Sequence, residues 1–378
     1  MSQREHYNRR SYLKGATVAS IAALAGCSGG GNGGTDGDGA DTSGDSESSG
    51  GDGTVTGETT SSNSMADTVV YYGSASRPGF FEAFEEETGI TVNAVTAPGY
   101  QSVSRFQTEE SNGNHSADVL NSVSQVFLRD DLLPYFAEID MWEQYRDVYS
   151  QNLVDKVEST ANETERSKML PVTTNNYMAA YSTSRTDSPL DSWDDILQSQ
   201  FEDNVGAPTF TMSSMYWIMR REMSEEEADQ YFTDLADLGT QFAGQSTSAF
   251  TEAIVAGQSD VAFGVAASTA IAPFLEDGAP IAPVTPSWTG STVSPIAVSK
   301  NAPHPKAARR LVEFMISKQG QEANANHGAG RAAIRSDVSH GNEQIREAVS
   351  DMDVYPMFVT PATKSRVIEK ANSLLPLS

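Results

Sequence analysis

The sequence predicts an α/β fold with parallel strands, arranged as two lobes. The stretch Thr68–Ala94 reads as strand, polar turn, helix and strand, the βαβ unit from which parallel sheets are built. Several later apolar runs end, as that first one does, in clusters of Ser, Thr or Asn. A chain of 378 residues is long enough for two lobes with separate cores.

Bulk composition narrows the function. The formal net charge is −26, from 51 Asp and Glu against 25 Lys and Arg. Nucleic acid is not an expected partner, because phosphates need basic residues. The acid is spread along the chain, which suits a solvated halophilic surface whose self-repulsion is screened by salt, with a mesophilic acidic protein as the alternative. One cysteine excludes an internal disulfide.

Asn8-Arg9-Arg10-Ser11-Tyr12-Leu13-Lys14 precedes the apolar run Gly15–Ala25, a charged region followed by one too short to span a bilayer. The paired arginines resemble a twin-arginine export signal, with Asn8 and Tyr12 where Ser/Thr and Phe are usual. Leu24-Ala25-Gly26-Cys27 resembles a lipoprotein box, which implies that 1–27 is the signal and that Cys27 carries lipid. A lone Cys is otherwise a small buried hydrophobe, but its place after the apolar run favours the anchor. Residues 28–66 are mostly Gly, Ser, Thr, Asp and Asn and are expected to form a disordered tether. Asp36-Gly37-Asp38-Gly39 lacks the register of a calcium loop.

The body begins with Val69–Tyr72, a β-branched and aromatic strand. Gly73-Ser74-Ala75-Ser76 breaks it, and Pro78 suits a first helical position. Phe80, Phe81 and Phe84 share one helical face, Gly89 is placed to end the helix in a left-handed conformation, and Ile90–Val95 is the second strand. Ligands on parallel sheets sit beyond the carboxyl ends of strands, where Ser74 and Ser76 stand with Arg77 alongside. Ser102–Glu110 is a helix, and Ala117–Leu120 a strand ending in Asn121 and Ser122. A first lobe over 67–176 gives way at the strand Tyr177–Tyr181 to a second lobe over 177–284.

In the second lobe Ser192 caps a short helix, and the strand Val205–Pro208 leads through the polar link Thr209–Ser214 into an aromatic helix, Met215–Arg221. Ser224 with Glu227 forms a capping box. Ala249–Ala256 is amphipathic, with Thr247 just ahead of it. Asp260–Val265 is a strand ending in Ala267 and Ser268. Ile281–Val284 and Ser294–Ser299 are further strands. Pro305 opens a helix in which Ala308, Leu311, Val312 and Met315 share a face. The segment 285–378 is expected to return mainly to the first lobe and to end in helices, with Val354–Phe358 and Val367–Leu375 apolar enough to dock.

Four features of this body resemble the extracellular solute-binding proteins of ABC importers, in the group of ferric iron, thiamine, polyamine and phosphonate binders. They are the strand–Ser–helix opening with Phe80–Gly89; Ala117-Asp118-Val119 before small polar residues; Ala256-Gly257-Gln258-Ser259-Asp260-Val261-Ala262; and Ser299-Lys300-Asn301-Ala302-Pro303-His304-Pro305 followed by Ala307–Gln321. The last is the most specific. The resemblance implies a two-lobed type II periplasmic-binding-protein fold with hinge strands between the lobes, closing on a small solute and presenting it to a membrane permease. It also implies a monomer on the outer face of the cytoplasmic membrane, held by lipid alone, without enzymatic activity or cofactor.

The candidate solute contacts at strand ends are Ser74, Ser76, Asn121 and Ser122 from one lobe, and Thr209, Ser213, Ser214, Thr247, Ala267 and Ser268 from the other. Any single Ser or Thr is ordinarily a cap or turn residue; it is their recurrence after successive strands that points to ligand. Tyr177, Tyr216 and Trp288 are candidates to stack on solute, although each aromatic alone is commonly core. Arg77 is a candidate for an anionic group, or a solvated partner of a nearby carboxylate. Arg331 and Arg335 lie where the family often has a Pro-Val-Arg turn.

Ferric binders of this group carry adjacent tyrosines near the position of Gly264–Ser268; this chain has Ala266 and Ala267 there. Tyr71 and Tyr72 are adjacent, but alternation along a strand sends them to opposite faces. The five histidines show no metal-ligand spacing. A small organic solute or oxyanion is therefore preferred, and no metal is expected. Iron binding without tyrosines and a lipid-anchored extracellular hydrolase remain as alternatives, the latter without a nucleophile elbow, Walker loop or His-Glu-x-x-His motif. A cell-surface adhesion protein is a third.

Overall fold

The computed structural model describes residues 66–97, 100–327 and 331–375; the segments up to residue 65 expected to be an export signal and a tether, with Cys27, lie outside the described residues. Strand β1 (Thr68–Gly73) buries Tyr71 and Tyr72, and Pro78 starts the helix Pro78–Thr88 that folds back over it. Gly89 ends that helix at φ 70°, a conformation that costs an L side chain energy and glycine little. The chain returns as β2 (Thr91–Thr96), parallel to β1.

The other strands are β3 (Val119–Asn121), β4 (Leu170–Ser182), β5 (Val205–Pro208), β6 (Gln241–Ala243), β7 (Val261–Ala266), β8 (Ile281–Pro283), β9 (Trp288–Val298) and β10 (Asp353–Met357). They form one curled sheet in the order β2-β1-β3-β9-β4-β7-β5-β6, with β8 added to β4 and β10 to β9. Both ends are parallel: β2, β1 and β3 at one, β7, β5 and β6 at the other. Between them β3–β9, β9–β4 and β4–β7 are antiparallel.

That mixed order follows from two long strands that serve more than one core. Leu170 and Val172 at the start of β4 pack into a first core with Phe84, Phe106, Phe136 and Leu311. Further along the same strand, Ala179 and Tyr181 enter a second core with Trp193, Met212, Phe232 and Phe263, while Met178 and Ala180 enter a smaller cluster with Ile254 and Ile271. In β9, Val293 and Ile296 belong to the first core and Trp288 packs against the second. The paired strands β4 and β9 thus join the two lobes.

The motifs of the sequence have structural work to do. Asp118 is fully buried, and its carboxylate accepts from the Val70 N–H at 2.7 Å and the His304 N–H at 2.6 Å, with His304 Nδ1 at 2.9 Å. The Ala-Asp-Val and Ala-Pro-His-Pro segments are therefore two halves of one contact. Gln321 is also fully buried; its amide donates to the carbonyls of Val172 at 2.8 Å and Met315 at 2.6 Å, and accepts from the Ile334 N–H at 3.0 Å. A Cβ on Gly320 would lie 2.1 Å from the Phe314 carbonyl oxygen, so only glycine fits there.

Several boundaries differ from the sequence reading. The Thr209–Ser214 segment is not a link, because the helix already starts at Thr209 and runs to Met219 with Pro208 before it. Strand β4 begins at Leu170 rather than Tyr177, tolerating Pro171 where its register with β9 shifts. Val354–Phe358 supplies β10, whose Pro356 sits opposite Ser291. The helix Pro361–Leu374 buries Ala371 in the second core, followed there by Leu375, whereas the helix Pro305–Ile316 packs in the first.

Candidate functional site

The polar residues that follow successive strands meet over one opening. Ser74 follows β1, Ser122 follows β3, and Tyr177 and Thr292 stand on β4 and β9. Opposite them, Thr209, Ser213 and Ser214 come from the opening turns of the helix Thr209–Met219. The cavity they share measures about 670 Å³, within the range of small-molecule sites.

The helix Pro361–Leu374 forms the remaining wall. Thr360 caps it, accepting the Thr363 N–H at 3.2 Å, and Pro361 takes the position where its missing donor costs nothing. Lys364, Ile368 and Asn372 recur every four residues and so share the face that lines the cavity. Large apolar side chains are exposed at the same place: Phe210 at 57%, Tyr100 at 49% and Ile368 at 39%. Unburied aromatic and aliphatic groups gathered at one opening are the mark of a surface that receives something.

Charge is distributed unevenly around the opening. Among the described residues of the wall, none is Asp or Glu and the one charged group is Lys364. Its Nζ donates to Ser213 Oγ at 2.9 Å and Ser214 Oγ at 3.2 Å. Burial pulls this ammonium down to about 8. The Tyr177 phenol is pushed up from its ordinary value, again by burial.

The structure brings Ser74, Ser122, Tyr177, Thr209, Ser213 and Ser214 to this cavity. It places the other candidates elsewhere. Asn121 is buried beneath the floor, its amide accepting from the Tyr71 hydroxyl at 2.8 Å and donating to the Pro295 carbonyl at 2.7 Å. Ser76 is exposed in the turn before the first helix, and the half-buried Arg77 sits at that helix's N-cap. Tyr216 donates its hydroxyl to Asp229 at 2.7 Å and packs edge-on against Phe232, within the second core. Trp288 lies 5.9 Å from the ring of Trp193. Thr247 opens the helix Thr247–Val255, and Ala267 is fully buried in a π-helical turn, Ala267–Ile271. Ser268 bonds His340 Nε2 at 3.1 Å and accepts the Ala332 N–H at 3.1 Å. Arg335 is bound to Asp337 at 2.8 Å.

The adjacent tyrosines separate as alternation requires: Tyr71 bonds Asn121, and Tyr72 donates to Glu109 at 2.9 Å. Among the described residues no group of three or more His, Cys, Asp or Glu is placed to hold a metal ion. No helix among them is long and apolar enough to cross a membrane.

The sequence reading missed Tyr100, Gln125, Phe210 and the whole face of the C-terminal helix. Gln125 and Tyr100 are linked, the amide donating to the phenol at 2.8 Å. The four-residue spacing of Lys364, Ile368 and Asn372 was the available signal, but it marks a helical face without saying what that face adjoins.

A family model described as bacterial extracellular solute-binding protein matches residues 79–349. No curated protein matches the chain. Among solved structures, iron-bound HitA from Pseudomonas aeruginosa is similar with a TM-score of 0.63 at 19% identity, over 82% of this chain and 99% of that one. AfuA from Actinobacillus pleuropneumoniae, with fructose-6-phosphate bound, gives 0.66 at 16% identity, over 83% and 100%. The apo ferric ion-binding protein A of Pasteurella haemolytica gives 0.61 at 16%, over 82% and 96%. At these identities the likeness is one of fold, a two-lobed α/β architecture.

Proposed function

Because the chain belongs to the family of bacterial extracellular solute-binding proteins, we propose that it captures a small solute between its lobes and delivers it to an ABC permease. The observation that carries this reading is the meeting of Ser74 and Ser122, after strands of one lobe, with Thr209, Ser213 and Ser214, from the opening turns of a helix of the other, across one cavity. Hydroxyls, backbone donors and exposed aromatic faces bind and orient a molecule, and the family match supports a binder over a hydrolase. Closure about the β4–β9 pair would bury the solute. The same fold holds iron in HitA and fructose-6-phosphate in AfuA, so the solute must be identified from this cavity rather than from the fold.

Native mass spectrometry of freshly purified protein in volatile salt tests the reading by showing a co-purified small molecule. A thermal-shift panel in high KCl should give a ligand-dependent rise in unfolding temperature without turnover. Turnover of a chromogenic ester or glycoside would favour the hydrolase. Replacing both hydroxyls, Ser74→Ala with Ser122→Ala, should weaken solute binding and leave stability nearly unchanged; an unchanged affinity removes these two strand ends from the site.

Twin-arginine export and a lipid anchor at Cys27 complete the proposal, with the acidic body working off the outer membrane face on its tether. Cys27→Ala should release the protein into the soluble fraction. Continued fractionation with membranes refutes the anchor.

A further inference from the structure

The C-terminal helix Pro361–Leu374 lies beyond the residues matched by the family model, yet it contributes a wall of the cavity and the one charged group among that wall's described residues. We propose that the solute is an organic anion, its carboxylate or phosphate group bound by Lys364 and its body lying against Tyr100, Phe210 and Ile368. This rests on the reading that the cavity holds the solute.

The two lysines of this helix differ in one respect. Lys370 has carboxylates, Asp229 at 2.5 Å and Glu225 at 3.9 Å. Among the described residues, Lys364 has only the neutral hydroxyls of Ser213 and Ser214. An ammonium drawn out of water beside neutral partners is held at a cost that a bound anion offsets. The chain carries 51 Asp and Glu, but none stands among the described residues of the wall. A cavity for a cation or a hard metal ion would carry the opposite bias.

The facing helix contributes in the same sense. Thr209–Met219 starts at the cavity without a side-chain cap and without an acidic residue in its first turn, so its free N–H groups and positive dipole end are unopposed. Ser213 and Ser214 then serve two roles, fixing the ammonium and offering their own hydroxyl donors to the anion. Tyr100, Phe210 and Ile368 leave apolar surface beside this polar corner, which a bare inorganic anion would not cover.

The test uses matched pairs: benzoate with benzamide, glycerol 3-phosphate with glycerol, and spermidine as a cation. Each is titrated by calorimetry into the wild-type protein and into Lys364→Gln and Lys364→Arg, whose folding is checked by thermal melts. The carboxylate and phosphate arms distinguish the two anion classes. Binding confined to anionic members, weakened about 10- to 100-fold in Lys364→Gln and largely kept in Lys364→Arg, is the expected result. Binding of benzamide, glycerol or spermidine that is equal in wild type and Lys364→Gln overturns the anion assignment and leaves solute capture standing. Anion binding that is equal in all three proteins overturns the role of Lys364. Failure of every member to bind the wild type overturns the proposal, and if native mass spectrometry also finds no co-purified molecule, solute capture itself fails.

Discussion

Lys364→Met should stabilise the ligand-free protein, and the gain should depend on pH in a defined direction. The ammonium sits at about 8 in the folded chain against 10.5 when exposed, because burial disfavours its charge. That difference corresponds to about 3 kcal/mol against the folded state wherever lysine is charged in both states. The hydrogen bonds to Ser213 and Ser214 offset part of it, leaving a net gain of about 2 kcal/mol for the methionine variant. Below about 8 the penalty is present in full. Between about 8 and 10.5 the unfolded chain binds more protons than the folded one, so wild-type stability rises with pH relative to the variant. The other titratable groups on the cavity wall are the phenols of Tyr100 and Tyr177, while Arg366 and Lys370 line a separate cavity with Glu225. Taking the difference between the two proteins removes contributions that both share. The assay is a pair of denaturant or thermal melts at constant ionic strength from pH 6.5 to 10. A gain of a few degrees at pH 7 that shrinks toward pH 10 is expected. A difference that stays constant with pH, or a wild type more stable than the variant at pH 7, refutes the reasoning.

Three further outcomes follow from the contacts described. Asp118→Ala strands the buried N–H groups of Val70 and His304 and should cost about 3 to 5 kcal/mol, read as a lowered denaturation midpoint with an unchanged slope. Gly320→Ala drives a methyl group onto the Phe314 carbonyl and should cost about 1 to 3 kcal/mol in the same assay. His340 is held down at about 4, chiefly by burial and also by Arg346, so the unfolded chain takes up its proton first as pH falls. The stability it supports is complete above about 6.5 and declines by up to about 3 kcal/mol on acidification to about 4; in His340→Gln the slope of stability against pH over that window should flatten.

Local chemistry made much of the fold legible. The βαβ opening is written in Pro78, three phenylalanines and Gly89, each read by rules that act within one turn of chain. Lys364 and Phe210 were not legible, because their meaning depends on what lies opposite them. The register of Lys364, Ile368 and Asn372 marks a helical face, and only tertiary packing puts that face beside Ser213 and Ser214. The polar cluster Thr209–Ser214 misled in its local form, since Thr and Ser favour turns: the helix absorbs these residues, buries Thr211 and Met212, and brings Thr209, Phe210, Ser213 and Ser214 to the cavity. Asn121 shows the reverse, a polar strand-end residue whose side chain is spent on Tyr71 and Pro295. A one-dimensional reading locates polar groups near strand tips but does not say which of them already have partners.

The pairing of β3 with β9, Val119 opposite Val298, has a consequence for biosynthesis. At ribosomal rates of about 5 to 20 residues per second, β3 emerges on the order of 10 to 40 s before the strand that completes its side of the sheet. During that interval an apolar edge and half a core stand open to other nascent chains. A holding chaperone, or rapid docking once the last quarter is made, must cover the gap, and ribosome-bound chains stopped before β9 should aggregate where the finished protein does not.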